Sequence, residues 1–325
     1  MILIKKYNVK KINMQNRFAF EKIEIFGEVL FDFFENNTKT IGGAPFNVAC
    51  HLNMASNNSL KIDFITKLGA DLLGKEALST IKEKKISAKE VQIDEKKPTG
   101  TVNVFFKENN PCYEIKEDVA FDYIKKPFPV KEKGKTTPGE NKSDKHSLFY
   151  HGTLAARNKE TRKTLYDLTK RKKQKIFCDL NLRDPYWTKE LLKDILRWST
   201  YIKLNQEELK KLTKALGINY SEIDKNTKAL LKVGKIESII LTMGSEGATL
   251  YQKDGYKIYC PAKKTNSITD TVGAGDAFSA VCILGIYNNW IWEETLQKAV
   301  DFATEICKIK GAVPKRGDIY EKYKL

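Results

Sequence analysis

The run Asp270-Thr271-Val272-Gly273-Ala274-Gly275-Asp276-Ala277-Phe278 contains the residue types that a phosphate-handling turn needs. Gly273 and Gly275 bracket Ala274, so their backbone N–H groups can face a ligand with no side chain in the way. At a helix N-terminus such amides form a cradle for anions. A carboxylate standing in that cradle would repel phosphate unless it had another task. Asp276 is therefore a candidate general base, taking the proton of an attacking hydroxyl during phosphoryl transfer. A bare Gly-x-Gly-Asp reads more simply as a capped turn, but the nine-residue run asks for more.

Other groups of residues could serve the same chemistry. In Gly42-Gly43-Ala44-Pro45-Phe46-Asn47 the glycines allow close backbone approach, and Asn47 offers donor and acceptor to hydroxyls. Asn205-Gln206-Glu207-Glu208 reads as a capping box, with Asn205 as N-cap and Glu208 three residues on. Thr242-Met243-Gly244-Ser245-Glu246-Gly247 is, alone, an ordinary turn. The stretch from Gly69 to Lys75 matches the spacing G-x-x-x-x-G-K, but Glu76 stands where a Ser or Thr must hold Mg²⁺. Asp71 would also place negative charge inside the cradle, so this stretch reads as a turn.

These groups need a scaffold, and the hydrophobic rhythm supplies one. Strand patterns are expected at 23–26, 61–68, 148–150, 175–179, 201–204 and 238–242, with hairpins over 101–119 and 249–260. Helical patterns fall at 44–54, 74–84, 159–172, 189–197, 207–216, 223–233, 275–287 and 293–310. Alternating strands and helices predict a mostly parallel sheet covered on both faces, with function beyond the C-terminal strand ends. The segment 129–147 is rich in Lys, Gly and Pro and reads as a solvated insertion.

Composition narrows the function classes. The net charge of +16 raises nucleic-acid binding, but residues 1–20 carry five Lys or Arg and no acid, and the rest is spread over mixed-charge helices. No Arg-rich, aromatic-interleaved stripe occurs, so nucleic acid is not the expected partner. No apolar run reaches the ~20 residues of a membrane helix. The six cysteines are scattered without a C-x-x-C pair, which argues against zinc and for reduced thiols in the cytoplasm.

Taken in order, the motifs resemble the signatures of the ribokinase-like (PfkB) family of carbohydrate and nucleoside kinases, across residues 23–314. The resemblance implies a ribokinase-like α/β fold in one kinase domain, 21–325, after a basic extension, 1–20. It implies a small β lid from 29–41 and 98–121, and, since family lids pair between subunits, a homodimer. It implies ATP-dependent phosphorylation of a sugar's primary hydroxyl with Mg²⁺, and K⁺ as a further cation. Gly273, Ala274 and Gly275 then form the anion hole, and Asp276 is the base. Asp32, Gly42, Gly43 and Asn47 map to the sugar. Asn205, Thr242, Gly244, Gly247, Ala303 and Gly311 map to ATP, and Glu208 maps to the water shell of Mg²⁺. Asp270 and Thr271 map near a monovalent cation. The Ala44-Pro45 form, Arg157 and the element Asp179-Leu180-Asn181-Leu182-Arg183 resemble fructokinase-like members, with Arg183 reaching transferred phosphate through its planar fork. Fructose is the expected substrate. 2-Keto-3-deoxygluconate or ribose, and a catalytically silent binding module, are the alternatives.

Overall fold

Residues 19–107, 110–127, 146–265, 267–315, 317–323 and 325 are described here from a computed structural model. The basic extension through residue 18 and the Lys-rich segment through residue 145 lie outside the described residues. In chain order the strands are β1 (Phe20–Phe26), β2 (Leu30–Phe34), β3 (Lys39–Gly42), β4 (Ile62–Gly69), β5 (Val91–Asp94), β6 (Gly100–Lys107), β7 (Asn110–Ile115), β8 (His146–His151), β9 (Gln174–Asp179), β10 (Tyr201–Asn205), β11 (Ser238–Thr242), β12 (Ala248–Gln252) and β13 (Lys257–Cys260). The helices are α1 (Ala44–Ala55), α2 (Leu72–Glu83), α3 (Lys159–Thr169), α4 (Lys189–Trp198), α5 (Gln206–Leu216), α6 (Ile223–Leu231), α7 (Ala274–Tyr287), α8 (Trp292–Ile306) and α9 (Asp318–Lys322).

A nine-stranded sheet runs in the order β13-β12-β11-β10-β9-β8-β1-β4-β5. It is parallel from β11 through β5, and the β12–β13 hairpin adds antiparallel strands at one edge. Alternation along β1 sends Ile23 and Ile25 to one core, with α1, α2, α7 and α8, while Phe26 faces the other, with α3 to α6. Both faces are thus filled, as parallel strands require. α4 shows how sequence places a helix. Thr188 caps it by accepting from Leu191 N at 3.2 Å, and Leu191, Leu192, Ile195 and Leu196 make one buried stripe.

A second sheet, β3-β2-β6-β7, forms the expected lid. Its attachment is specific. Asp71 accepts from Gly74 N at 2.7 Å as the cap of α2, and also from Thr99 N at 2.8 Å and Thr99 Oγ1 at 2.7 Å. The turn that mimicked a phosphate loop thus fastens the start of α2 to the segment that enters β6. Three differences from the sequence reading stand out. β5 was missed because Val91–Asp94 is only half-buried, with no apolar run. α9 is too short for a periodic signal. In the lid hairpin β7 starts at Asn110 and stops at Ile115, and the following residues turn into a short 3₁₀ segment, Ala120–Tyr123.

Candidate active site

The chemistry-bearing residues gather beyond the C-terminal ends of the parallel strands, beneath the lid. Gly273 caps α7 with φ 77°, in the left-handed region, and a Cβ there would lie 2.4 Å from Ala312 Cα. Both conformation and space thus demand glycine. The first turn of α7 carries Gly275, exposed, and Asp276, half-buried. Asp270 braces this turn: its Oδ1 accepts from Val272 N at 3.0 Å and its Oδ2 from Gly311 N at 3.1 Å. Thr271 is exposed beside it.

Asp276 is joined to a residue 229 positions away: Asn47 Nδ2 donates to its Oδ2 at 2.8 Å. Asn47 is buried in the opening turns of α1, which Pro45 helps to start. Gly43 precedes that helix with φ 105°, and a Cβ on it would meet Glu28 O at 2.6 Å. Desolvation in the cleft pushes Asp276 up to about 6; Asn47 opposes this, Asp179 adds to it, and Lys203 and Arg183 oppose it. A base with a pKa near the working pH suits proton abstraction from a hydroxyl.

The lid contributes Asp32 from β2, half-buried and also pushed up to about 6 by desolvation, with Arg183 opposing. A Cβ on Gly42 would lie 3.0 Å from Asp32 Oδ2, so that strand pair closes tightly around the carboxylate. Arg183 is exposed and acts electrostatically on Asp32, Asp276 and Glu28 together. Its loop is held by Glu208, whose Oε1 accepts from Leu182 N at 2.8 Å. Glu208 also completes the expected capping box, its Oε2 accepting from Asn205 N at 2.8 Å while Asn205 Oδ1 accepts from Glu208 N at 2.9 Å. Burial raises the Glu208 pKa, with Lys203 opposing.

Arg157 is placed differently from expectation. Its Nε and Nη2 donate to Asp122 at 2.8 and 2.9 Å, Nη2 also to Lys116 O at 2.6 Å, and its guanidinium stacks against Phe121 and Tyr186 at 4.8 and 4.9 Å. A planar fork matches a carboxylate, and Asp122 supplies one. Arg157 thus braces the segment leaving the lid, and its charge also acts on Glu28. The remaining expected positions lie on the turn after β11 and, further along the chain, on α8 and the segment after it. Thr242 Oγ1 donates to Leu204 O at 3.4 Å, and the exposed Gly244 opens a 3₁₀ turn that closes at Gly247. Ala303 on α8 and Gly311 are half-buried nearby in the chain's last third.

Sequence reasoning missed three groups. Glu28 is buried directly after β1 and pushed up to about 7, first by burial, with its own backbone N–H opposing and Asp276 adding. Its position in the first-strand turn was the available signal. His51 is buried one helical turn after Asn47; its Nδ1 lies 2.8 Å from Tyr320 Oη and its Nε2 3.0 Å from Ala312 O. A carbonyl only accepts, so Nε2 donates and Nδ1 accepts from the phenol. Burial holds His51 down at about 4, so the ring stays neutral at physiological pH. A lone histidine among apolar residues gives no sign of this in sequence. The third group is Lys203 and Ser279, which bond Asp179 of the quoted Asp179–Arg183 element.

A glycine turn at a helix start with a carboxylate beside it is an arrangement suited to phosphoryl transfer onto a hydroxyl. The pfkB family carbohydrate kinase model matches residues 21–316, and the chain belongs to that family. It is an ATP-dependent sugar kinase by that membership. Fructokinase-2 of Oryza sativa subsp. japonica is 26% identical over 318 residues, spanning 89% of this chain and 89% of the relative. The aminoimidazole riboside kinase of Salmonella enterica, solved with aminoimidazole riboside and an ATP analog, superposes with TM-score 0.76 at 20% identity, over 94% of this chain and 100% of that one. The fructokinase of Vibrio cholerae O395, solved with fructose, ADP and calcium ion, gives TM-score 0.75 at 21% identity, over 93% and 99%. At these identities the structural likeness speaks for the fold.

Proposed function

We propose that the chain transfers the terminal phosphoryl group of ATP to the primary hydroxyl of fructose, giving fructose 6-phosphate and ADP. The observation that carries this reading is the Asn47–Asp276 bond, which sets a hydroxyl-binding amide beside the base. Asp276 takes the hydroxyl proton as that oxygen bonds to phosphorus and the bond to the ADP oxygen breaks. The Gly273, Ala274 and Gly275 amides, at the positive end of α7, and Arg183 stabilise the transferring charge. Asp32, Gly42, Gly43 and Asn47 hold the sugar, and lid closure keeps out water, which would otherwise accept the phosphoryl group. Asn205, Thr242, Gly244, Gly247, Ala303 and Gly311 line the nucleotide's side.

Among the described residues no cluster of three or more His, Cys, Asp or Glu side chains could hold a metal. Mg²⁺ keeps its waters and is carried largely by phosphates. When bound, the ion neutralises phosphate charge; Glu208 would act on its water shell. Asp270, whose two oxygens each accept a backbone bond and retain further lone pairs, would with Thr271 face K⁺. The exposed Phe34 and Tyr113 on the lid strands support pairing of lids in a homodimer. A strictly monomeric mass at micromolar concentration would remove that element. Among the described residues no helix is long and apolar enough to cross a membrane. The five cysteines whose side chains are described are free, which suits a reduced, cytoplasmic setting.

A panel of sugars assayed by ADP release tests the proposal. Fructose should give the highest kcat/KM. Faster turnover of ribose or 2-keto-3-deoxygluconate would replace fructose, and ATP binding without turnover on any sugar would leave only a binding module.

A further inference from the structure

Beneath Gly275 lies a buried charged cluster to which no part in the transfer has been given above. Lys203 rises from β10 at 8% exposure, and Asp179 ends β9 at 0%. Lys203 Nζ donates to both Asp179 carboxylate oxygens at 3.0 Å, and Ser279 Oγ donates to Oδ2 at 2.7 Å. Ser279 stands one turn beyond Gly275 on α7, so the cluster fastens the opening turns of that helix to two strand ends. A Cβ on Gly275 would lie 3.1 Å from Lys203 Nζ, which puts the ammonium directly under the cradle backbone.

A lone lysine buried this deeply loses its proton. Here burial, the largest influence, pulls the Lys203 pKa down, yet Asp179, Glu208 and Asp276 together raise it above the ordinary value. The side chain stays charged. Buried ion pairs stabilise folds no better than well-packed apolar groups of the same volume. Stability alone therefore gives no reason to keep this pair beneath a catalytic turn, whereas its field does. The groups facing Asp276 are Asn47 from α1, Asp179 from β9, Arg183 from the loop after β9, Lys203 from β10, Glu28 from the turn after β1 and Tyr150 from β8. Lys203 and Asp179 act on it with opposite sign.

We propose that Lys203 is a positioning residue for the transfer reaction: clamped by Asp179 and Ser279, it fixes the first turn of α7 and keeps the Asp276 carboxylate ionised. This rests on Asp276 being the base.

The test is the pH dependence of kcat for the full chain with its preferred sugar. Lys203→Met should raise the midpoint of the acid limb by on the order of one pH unit. Asp179→Asn, which preserves shape, can still bond Ser279 and Lys203, and leaves Glu208 and Asp276 to hold the Lys203 proton, should lower it. A purely structural clamp would reduce activity or melting temperature in both variants without moving the limb in opposite directions. Limbs that stay in place, or move together, overturn the inference. If Lys203→Met does not accumulate as folded protein, Asp179→Asn decides alone, and a limb that rises or stays overturns it. Asp276→Asn is run beside them. If that variant keeps turnover, the base assignment fails and this inference with it. If it is inactive while the other limbs do not move as stated, only the inference fails.

Discussion

The two sides of the cleft are built by different means. The side proposed for the sugar is a web of side chains drawn from distant segments: Asn47 on Asp276, Arg183 near Asp32 and Glu28, Lys203 on Asp179. The side proposed for the nucleotide joins the Asn205–Glu208 capping box, where β10 runs straight into α5, to the turn after β11 with glycines at 244 and 247. A web of side chains paired across distant segments depends on every member and weakens when one is lost. In the turn after β11, Gly244 has open space where a Cβ would stand, whereas a Cβ on Gly247 would meet Cys260 O at 2.1 Å. The contrast suits an enzyme that must choose one hydroxyl but takes a nucleotide common to all kinases.

Substitutions can break or sharpen this contrast. The largest effect should come from Asp276→Asn, with kcat falling roughly 10²–10⁴-fold while sugar affinity, measured by calorimetry, changes only a few-fold. Near-normal turnover would mean that the web has no base in it. Next is Gly273→Ala, which meets both a positive φ and the Ala312 backbone; unfolding titrations should show a loss of about 1–3 kcal/mol together with reduced turnover. Gly244→Ala is its counterpart on the other side. Nothing lies within 4 Å of a Cβ there, so its cost should be the strain of φ 57° alone, about 1 kcal/mol. Equal losses at the two glycines would erase the distinction.

Asn47→Leu sharpens the electrostatic half. Asn47 holds the Asp276 pKa down, so its loss raises a value already near 6. Since the protonated form is inactive as a base, turnover in the wild type should fall as pH drops through about 6. In the variant the fall should begin at higher pH, so the deficit should be greater at pH 6.5 than at pH 8.5. A deficit independent of pH would assign Asn47 to sugar contact alone. Smallest of all should be Thr242→Val, which removes a 3.4 Å hydrogen bond. It should shift the KM for ATP by no more than about threefold and leave the sugar's KM unchanged.

Much of this was legible in the sequence because it depends on local chemistry. A glycine cradle, a capping box and alternating apolar runs are written in neighbouring residues, and Gly273, the Asn205–Glu208 box and most of the sheet follow from them. What was not legible depends on pairing across the fold. Arg157 has the same chemistry whether it meets a substrate or Asp122, and only the folded lid exit decides. Asp179 and Lys203 look like routine strand-end charges until β9 and β10 are set side by side in register. His51 becomes a latch only when Tyr320 and Ala312 arrive.

The Asn47–Asp276 bond has a kinetic consequence for folding. It closes a loop of most of the described chain, and β1 must also pair with both β4 and the distant β8. Contacts of such long sequence separation form late, because the entropy of closing the loop is lost before the contacts compensate it. Regain of turnover after dilution from denaturant should therefore lag behind regain of helix signal. Phosphorylation of sugar would then report the last step of assembly, and the enzyme's own product would serve as the clock for its folding.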